Sequence, residues 1–138
     1  MTEADTLELL NSRVPPFFKV LGGKIVEIDE ESQSATLHFD ISTDLCHSVD
    51  IVQGGFITAM LDAAMSHAVF AADREIRTLS SLEISTRYLD VARAGFLVAV
   101  GRITRASYKT AFLEGELRDG EGKLLATTQS VAKLGRKS

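Results

Sequence analysis

The chain has 138 residues, of which 45% are hydrophobic and 25% charged, and its net charge at pH 7 is −4. This composition is typical of an ordered globular protein, so we expect one domain over residues 1–138, with neither a disordered tail nor a membrane span. The acidic balance argues against non-specific binding of nucleic acid, and the one cysteine, Cys46, excludes an intrachain disulfide and favours a reducing, cytoplasmic location.

The N-terminal segment predicts a short helix. Thr2 and Asp5 resemble a helix start, and Pro15-Pro16 ends the helical stretch because a residue that precedes proline disfavours the α region. The segment PPFFKVLGG is then expected to direct four apolar side chains toward the core before a Gly-Gly break, namely Phe17, Phe18, Val20 and Leu21.

Two strands with a period of two follow this segment. Residues 24–29 form the first strand, a turn covers residues 30–32, and residues 34–41 form the second strand. In the second strand one face is apolar and the other polar, and His38 lies on the polar face as a surface residue. Residues 42–52 are expected to form a loop.

One long helix over residues 54–72 and four further strands complete the predicted secondary structure. The strands are expected at residues 78–89, 94–105, 108–118 and 123–134. The last two are joined by Asp119-Gly120-Glu121-Gly122, which is a strong hairpin signal. One long helix against a mainly antiparallel sheet predicts an α+β fold.

Charge is unevenly distributed between the two halves of the chain. Residues 1–73 have a net charge of −9, and residues 74–138 have a net charge of +5. The basic half could bind a small ligand that carries phosphate. Ordinary solvated charges on strand faces explain any single Arg or Lys equally well.

The long helix has apolar residues on every side, which predicts a buried helix with one narrow polar stripe. Thr58, Asp62 and Ser66 are four residues apart and therefore lie on one face. Burial raises the pKa of a carboxyl toward the range that is useful for acid–base catalysis, and Ser66 could hydrogen-bond the Asp62 carboxylate or a water beside it. The alternative is that Asp62 only pairs with an arginine of a neighbouring strand.

The helix begins with Gly54-Gly55, whose free backbone N–H groups could stabilise the oxyanion of an acyl transfer. The alternative is that the two glycines only turn the chain. His67 points away from the polar stripe, so we expect a packing role for it. The three histidines lack the spacing of metal ligands, and no metal site is predicted.

Four segments that cover almost the whole chain carry a family resemblance. They read PPFFKVLGGKIVEID, QGGFITAMLDAAMSHAV, TLSSLEISTRYLDVARAG and GRITRASYKTAFLEGELRDGEGKLLATTQS. Together they resemble the hotdog-fold thioesterases, in particular the phenylacetate-degradation (PaaI-type) and 4-hydroxybenzoyl-CoA thioesterase families. The family motif, typically His-Gly-Gly and then Leu-x-Asp-x-Ala, reads Gln53-Gly54-Gly55 and then Leu61-Asp62-Ala63 here. The resemblance implies the hotdog fold, an antiparallel sheet wrapped around one central helix, preceded here by the short N-terminal helix.

The resemblance also implies roles for single residues. Asp62 matches the catalytic carboxylate, and Gly54 matches the glycine whose amide polarises the thioester carbonyl. His47 falls at the family's Asn or Gln position near the thioester or the attacking water. Ser81, or Ser80 if the loop differs by one residue, falls where some members use serine to position that water.

A substrate site shared between subunits is implied by the same resemblance, and therefore a homo-oligomer, either a dimer or a dimer of dimers. Ser66 lies where another branch has a hydroxyl residue one turn beyond its carboxylate, and Gln53 and Gly55 of the motif are expected to contact substrate. Four further contacts are expected on the strands near the CoA moiety, at Arg87, Tyr88, Arg105 and Lys109. No cofactor is implied other than the CoA of the substrate.

The implied activity is hydrolysis of an acyl-CoA, with an aromatic or medium-chain acyl group, in which Asp62 acts either as a general base or as a nucleophile. Two departures from the family pattern affect rate and substrate choice, since Gln53 replaces the motif histidine and His47 replaces the amide side chain. One alternative is a non-catalytic acyl-CoA-binding protein. The other is an acyl-thioester hydratase or dehydratase, which the scarcity of proline disfavours. The acyl pocket is expected to be shaped by the loop before the helix and by Phe56, Ile57, Met60 and Phe70.

Overall fold

A long helix lies against a six-stranded antiparallel sheet in the computed structural model, which describes residues 1–136. The helices are α1 (Glu3–Asn11), α2 (Phe17–Leu21) and α3 (Gly54–Ala72). The strands are β1 (Gly23–Asp29), β2 (Ser34–Ile41), β3 (Cys46–Ser48), β4 (Ile51–Val52), β5 (Ile76–Tyr88), β6 (Gly95–Ala106), β7 (Thr110–Asp119) and β8 (Leu124–Arg136). The architecture confirms the predicted hotdog arrangement of one helix and an antiparallel sheet.

The sequence periodicity located most of these elements. Helix α3 has the predicted bounds, and every end of the six long strands lies within two residues of its predicted position. Thr2 begins α1 with a capping box, in which its hydroxyl accepts from the Asp5 N–H and the Asp5 carboxylate accepts from the Thr2 N–H. The predicted hairpin between β7 and β8 is present, and the Asp119 carboxylate accepts from two backbone N–H groups of the turn.

The segments on either side of β1 and β2 differ from the prediction. The segment after Pro16 forms α2, so Phe18 and Leu21 point into the core while Phe17 and Val20 are 45% and 61% exposed. Residues three apart share a helix face, which is why only one pair is buried. The predicted loop at residues 42–52 contains a single 3-10 turn and the small β3–β4 hairpin.

Helix α3 is buried because the sheet and the N-terminal helices cover it. Nine of its 19 residues are buried. By length and composition alone, α3 would also be long and apolar enough to cross a membrane. It packs most closely on β6, where any side chain at Gly101 would overlap the backbone of Ala64 and Met65. The glycine therefore sets how near the helix comes to the sheet, and the packing accounts for the apolar character of α3.

The two edge strands of the sheet differ in whether other residues cover their free edge. The strand order is β1-β2-β6-β7-β8-β5, so β1 and β5 are the edge strands. The side chain of Asn11 hydrogen-bonds both the N–H and the carbonyl of Ile25 and so covers the β1 edge. Strand β5 has 13 residues, only Ile76 of them buried, and Leu82 is 63% exposed. Within the described chain, no strand pairs with the outer edge of β5.

Candidate active site

The polar stripe of α3 faces strand β5, as the spacing of its residues predicts. The hydroxyls of Thr58 and Thr86 are 2.9 Å apart, and the Ser81 hydroxyl donates to the Asp62 carboxylate at 3.0 Å. Ser66, one turn further along α3, lines a groove beside the carboxylate. The stripe therefore lies against the sheet edge that has no partner strand.

Asp62 is half-buried, and this burial raises the pKa of its carboxyl, while the hydrogen bond from Ser81 opposes the rise. A carboxylate whose pKa is raised takes a proton more readily near neutral pH than an exposed one does. In residues 1–136 no arginine pairs with it, which removes the alternative of a simple ion pair.

The serine that hydrogen-bonds Asp62 is Ser81, and Ser66 makes no direct hydrogen bond to the carboxylate in residues 1–136. Ser66 lies one turn away on the same helix and lines the groove, whereas Ser81 reaches the carboxylate from β5. Ser80 pairs with Lys133 in the sheet and is exposed. Because adjacent strand residues point to opposite faces, only one of the two serines can face the helix.

A groove of about 830 Å³ extends from Asp62 along the C-terminal half of α3. Of the four apolar residues expected to shape an acyl pocket, only Phe70 lines this groove. Ile57 and Met60 are buried in the core, and Phe56 packs against it. They lie on other faces of the helix, so these three residues do not line this groove.

His67 has the packing role that its position on the helix predicts. It is 7% exposed, its Nδ1 lies 2.8 Å from the Ala63 carbonyl oxygen, and its ring makes edge contacts with Phe18 and Phe70. Burial lowers the pKa of His67, and the hydrogen bond to Ala63 acts in the opposite direction. No cluster of three or more His, Cys, Asp or Glu side chains that could hold a metal occurs in residues 1–136.

The start of α3 presents unpaired backbone donors. Gln53 is the N-cap residue, but its side chain makes no capping hydrogen bond. The first turn is held instead by Tyr88, whose hydroxyl donates to the Gly54 carbonyl at 3.0 Å and lies 2.9 Å from the Thr58 hydroxyl. Within residues 1–136, the N–H groups of Gly54 and Gly55 have no acceptor. They are available to an anionic oxygen.

Tyr88 contacts the helix start, a role that sequence analysis missed. Its expected place near the CoA moiety stays a prediction, and in the structure its ring packs against Gly54, where an added Cβ would lie 3.2 Å from it. The two residues are 34 positions apart, and only the crossing of α3 over the end of β5 brings them together. No local pattern in the sequence carries this information.

His47 and Gln53 lie near the same end of α3. His47 is exposed in β3, with its Nδ1 2.8 Å from the Ser48 hydroxyl. The Gln53 N–H donates to the Leu45 carbonyl, which fixes the β3–β4 hairpin to the helix start. The sequence-predicted site residues therefore form two groups along the helix.

We call these groups the amide half-site, comprising His47, Gln53, Gly54 and Gly55, and the carboxylate half-site, comprising Asp62, Ser66 and Ser81. Gly54 and Asp62 are eight residues apart on one helix, which corresponds to about 12 Å along its axis. An oxyanion donor lies about 3 Å from the oxygen it stabilises, and a base lies about as close to the proton it removes. One chain therefore cannot place both groups on one thioester carbonyl.

The four basic and aromatic residues expected near CoA are also separated within one chain. Arg87 and Tyr88 lie at the end of β5, beside the start of α3. Arg105 and Lys109 flank the β6–β7 turn, whose Tyr108 carbonyl accepts from Arg136 near the other end of α3. The structure places the two pairs at opposite ends of the helix.

Comparisons with known proteins agree with this geometry. The family model of the thioesterase superfamily matches residues 50–126. An uncharacterised protein of Schizosaccharomyces pombe is 30% identical over 65% of this chain, and the match spans about half, 51%, of that protein.

Solved structures are similar over nearly the whole chain. A phenylacetic acid degradation-related protein from Ralstonia eutropha JMP134 is 30% identical, with a TM-score of 0.82 over 88% of this chain and 91% of that one. The E. coli PaaI protein from the phenylacetic acid degradation operon is 17% identical, with a TM-score of 0.82 over 98% of this chain and 94% of that one. The second similarity supports the fold alone.

Proposed function

This chain belongs to the thioesterase superfamily, and we propose that it hydrolyses an acyl-CoA to a carboxylic acid and CoA. The observation that carries the proposal is the half-buried Asp62 carboxylate, whose pKa burial raises and which Ser81 orients at the end of an open groove. The proposal needs no cofactor, because a side-chain carboxylate and backbone N–H groups supply the proton transfer and the oxyanion contacts.

Asp62 can activate the attack in two ways. As a general base it takes a proton from water while the water oxygen bonds to the acyl carbon. The C–S bond then breaks, and the CoA thiolate leaves and takes up a proton. As a nucleophile its carboxylate attacks the acyl carbon, the thiolate leaves, and water hydrolyses the resulting anhydride. Ser81 holds the carboxylate in place in either case.

The amide half-site supplies the second requirement, which is stabilisation of the negative oxygen. The free N–H groups of Gly54 and Gly55 lie at the positive end of the α3 dipole. Such donors stabilise the charge that develops on the carbonyl oxygen, and the loss of one typically costs about 10²–10³-fold in kcat. His47 lies in the β3–β4 hairpin, which directly precedes α3. This position suits a side chain that lines the half-site near the thioester or the water.

Since one chain separates the half-sites by about 12 Å, we propose that a second copy completes each site. The unpaired β5 edge supports a dimer, because a long exposed edge strand readily pairs with another strand. When a two-fold axis relates two subunits at this edge, β5 of one subunit pairs with β5 of the other, and the two strands run antiparallel. In this dimer the carboxylate half-site of one subunit acts with the amide half-site of its partner.

The proposal is tested by measuring thiol release from short, medium, long and aromatic acyl-CoAs with DTNB. We expect Asp62→Asn to lose about 10²–10⁴-fold in kcat on the best substrate. Asp44→Asn, which changes an exposed carboxyl in the 3-10 turn, is the matched control and should behave as wild type. Full activity of Asp62→Asn would exclude Asp62 as the catalytic carboxylate. Tight binding of acyl-CoA by the wild type without thiol release would favour a binding protein.

A further inference from the structure

The groove beside Asp62 runs along one face of α3 toward its C-terminal end. Asp62, Ser66 and Phe70 line it at intervals of four residues, and Arg74, two residues beyond the last residue of the helix, lines it as well. The helical segment from Asp62 to Ala72 is about 15 Å long. One end of the groove therefore holds the proposed catalytic carboxylate, and the other end holds a positive charge.

Three arginines from different parts of the chain line this groove, namely Arg13, Arg74 and Arg77. All three are exposed, and no carboxylate in residues 1–136 pairs with any of them. Arg74 donates only to the uncharged thioether of Met1, at 3.1 Å. Of the six other arginines in residues 1–136, Arg87 and Arg105 likewise have no carboxylate partner, and four do, namely Arg93, Arg102, Arg118 and Arg136.

Between these charged groups the groove is lined by apolar side chains together with Ser66 and His67. Seven of its lining residues offer no side-chain hydrogen bond, namely Leu10, Pro15, Phe17, Ala63, Phe70, Ile76 and Leu79. The pantetheine arm of CoA carries two amide groups, and amides buried without hydrogen-bond partners are costly. A hydrocarbon or aromatic acyl chain has no such requirement, so the groove suits the acyl arm of a thioester better than its CoA arm.

We propose that this groove binds the acyl chain and that its arginines bind a carboxylate at the distal end of that chain. This inference rests on the proposed function, because it takes the thioester to lie at Asp62. Guanidinium groups bind carboxylates through charge-assisted, often bidentate, hydrogen bonds. The preferred substrates are then ω-carboxyacyl thioesters of medium length, with the unpaired arginines complementing their charge.

Binding to the Asp62→Asn variant tests this inference without requiring turnover. Isothermal titration calorimetry compares suberyl-CoA with octanoyl-CoA, which have equally long chains and differ in the terminal carboxylate. We expect suberyl-CoA to bind about tenfold more tightly. The preference should disappear when Arg13→Gln, Arg74→Gln or Arg77→Gln is added. Lys24→Gln, an exposed positive residue on β1 outside the groove, is the matched control and should keep it.

Equal affinity for the two thioesters would overturn the inference. Arginine variants that weaken acetyl-CoA as much as suberyl-CoA would also overturn it, because they would place the CoA phosphates at this site. Thiol-release assays of the wild type separate this inference from the proposed function. Carboxylate-dependent binding without hydrolysis contradicts only the function, and hydrolysis without carboxylate preference contradicts only this inference.

Discussion

At the scale of single residues, the carboxyl of Asp62 has opposite effects on activity and on stability. Burial raises its pKa above the value of 3.8 that an exposed aspartate has. Between the unfolded and the folded pKa, the folded protein therefore binds more protons than the unfolded chain does. The free energy of unfolding then falls as pH rises through this range, and the ionised, half-buried carboxylate lowers the stability of the fold at neutral pH.

Asp62→Asn should therefore be more stable than wild type at neutral pH although it is less active. Its advantage in melting temperature should grow as pH rises from about 4 through the folded pKa of Asp62 and level off above it, because only the wild-type side chain ionises. Thermal unfolding at a series of pH values measures the difference, with Asp44→Asn as the exposed control. A constant difference between Asp62→Asn and wild type across this range would contradict the cause that we assign to the pKa shift.

At the scale of elements, local sequence patterns predicted most of the helices and strands. Helix α3 and the long strands repeat their apolar residues with periods that depend only on neighbours in sequence, so their bounds were predictable. Helix α2 was missed because its five residues are too short to show a period. The contact of Ser81 with Asp62 matched a family position, whereas that of Tyr88 with Gly54 depends on how β5 crosses α3.

Substitutions at Gly54, the first residue of α3, can distinguish the effect of losing its N–H group from the effect of filling the space beside it. Proline at Gly54 removes the N–H, and the first position of a helix tolerates proline. Gln53 has φ −62° and ψ 133°, which is the region that a residue before proline adopts. Alanine at Gly54 adds a Cβ against the Tyr88 ring in the same way but keeps the N–H.

We expect Gly54→Pro to lose about 10²–10³-fold in kcat, as removal of an oxyanion donor typically does. Gly54→Ala should lose far less, since its only cost is a small shift of the Tyr88 ring. Steady-state kinetics on one acyl-CoA measure both variants, and circular dichroism checks that the helix is retained. Equal losses in the two variants would show that the space beside Tyr88 matters and the Gly54 N–H does not.

At the scale of the whole molecule, the fold explains why one chain carries two incomplete half-sites. A straight helix fixes the separation of Gly54 and Asp62 at about 12 Å, and no side-chain rotation can close it. The 13-residue β5 edge lies beside both half-sites, because it contacts Asp62 through Ser81 and Gly54 through Tyr88. Antiparallel pairing of two such edges brings the middle of one helix toward the start of the other.

Complementation between two inactive variants tests this arrangement. Subunits that carry Asp62→Asn and subunits that carry Gly54→Pro, each with its own affinity tag, are co-expressed, and mixed dimers are isolated by two successive purifications. In a two-fold dimer with shared sites, one site of each mixed dimer has both wild-type groups and the other has neither. The mixed dimer should then recover about half of the wild-type kcat per dimer. Mixed dimers of Asp62→Asn subunits with subunits that carry both Asp62→Asn and Gly54→Pro have no intact site and set the background. If each chain used its own Gly54 and Asp62, every site would lack one group and the mixed dimers would be as inactive as the single variants.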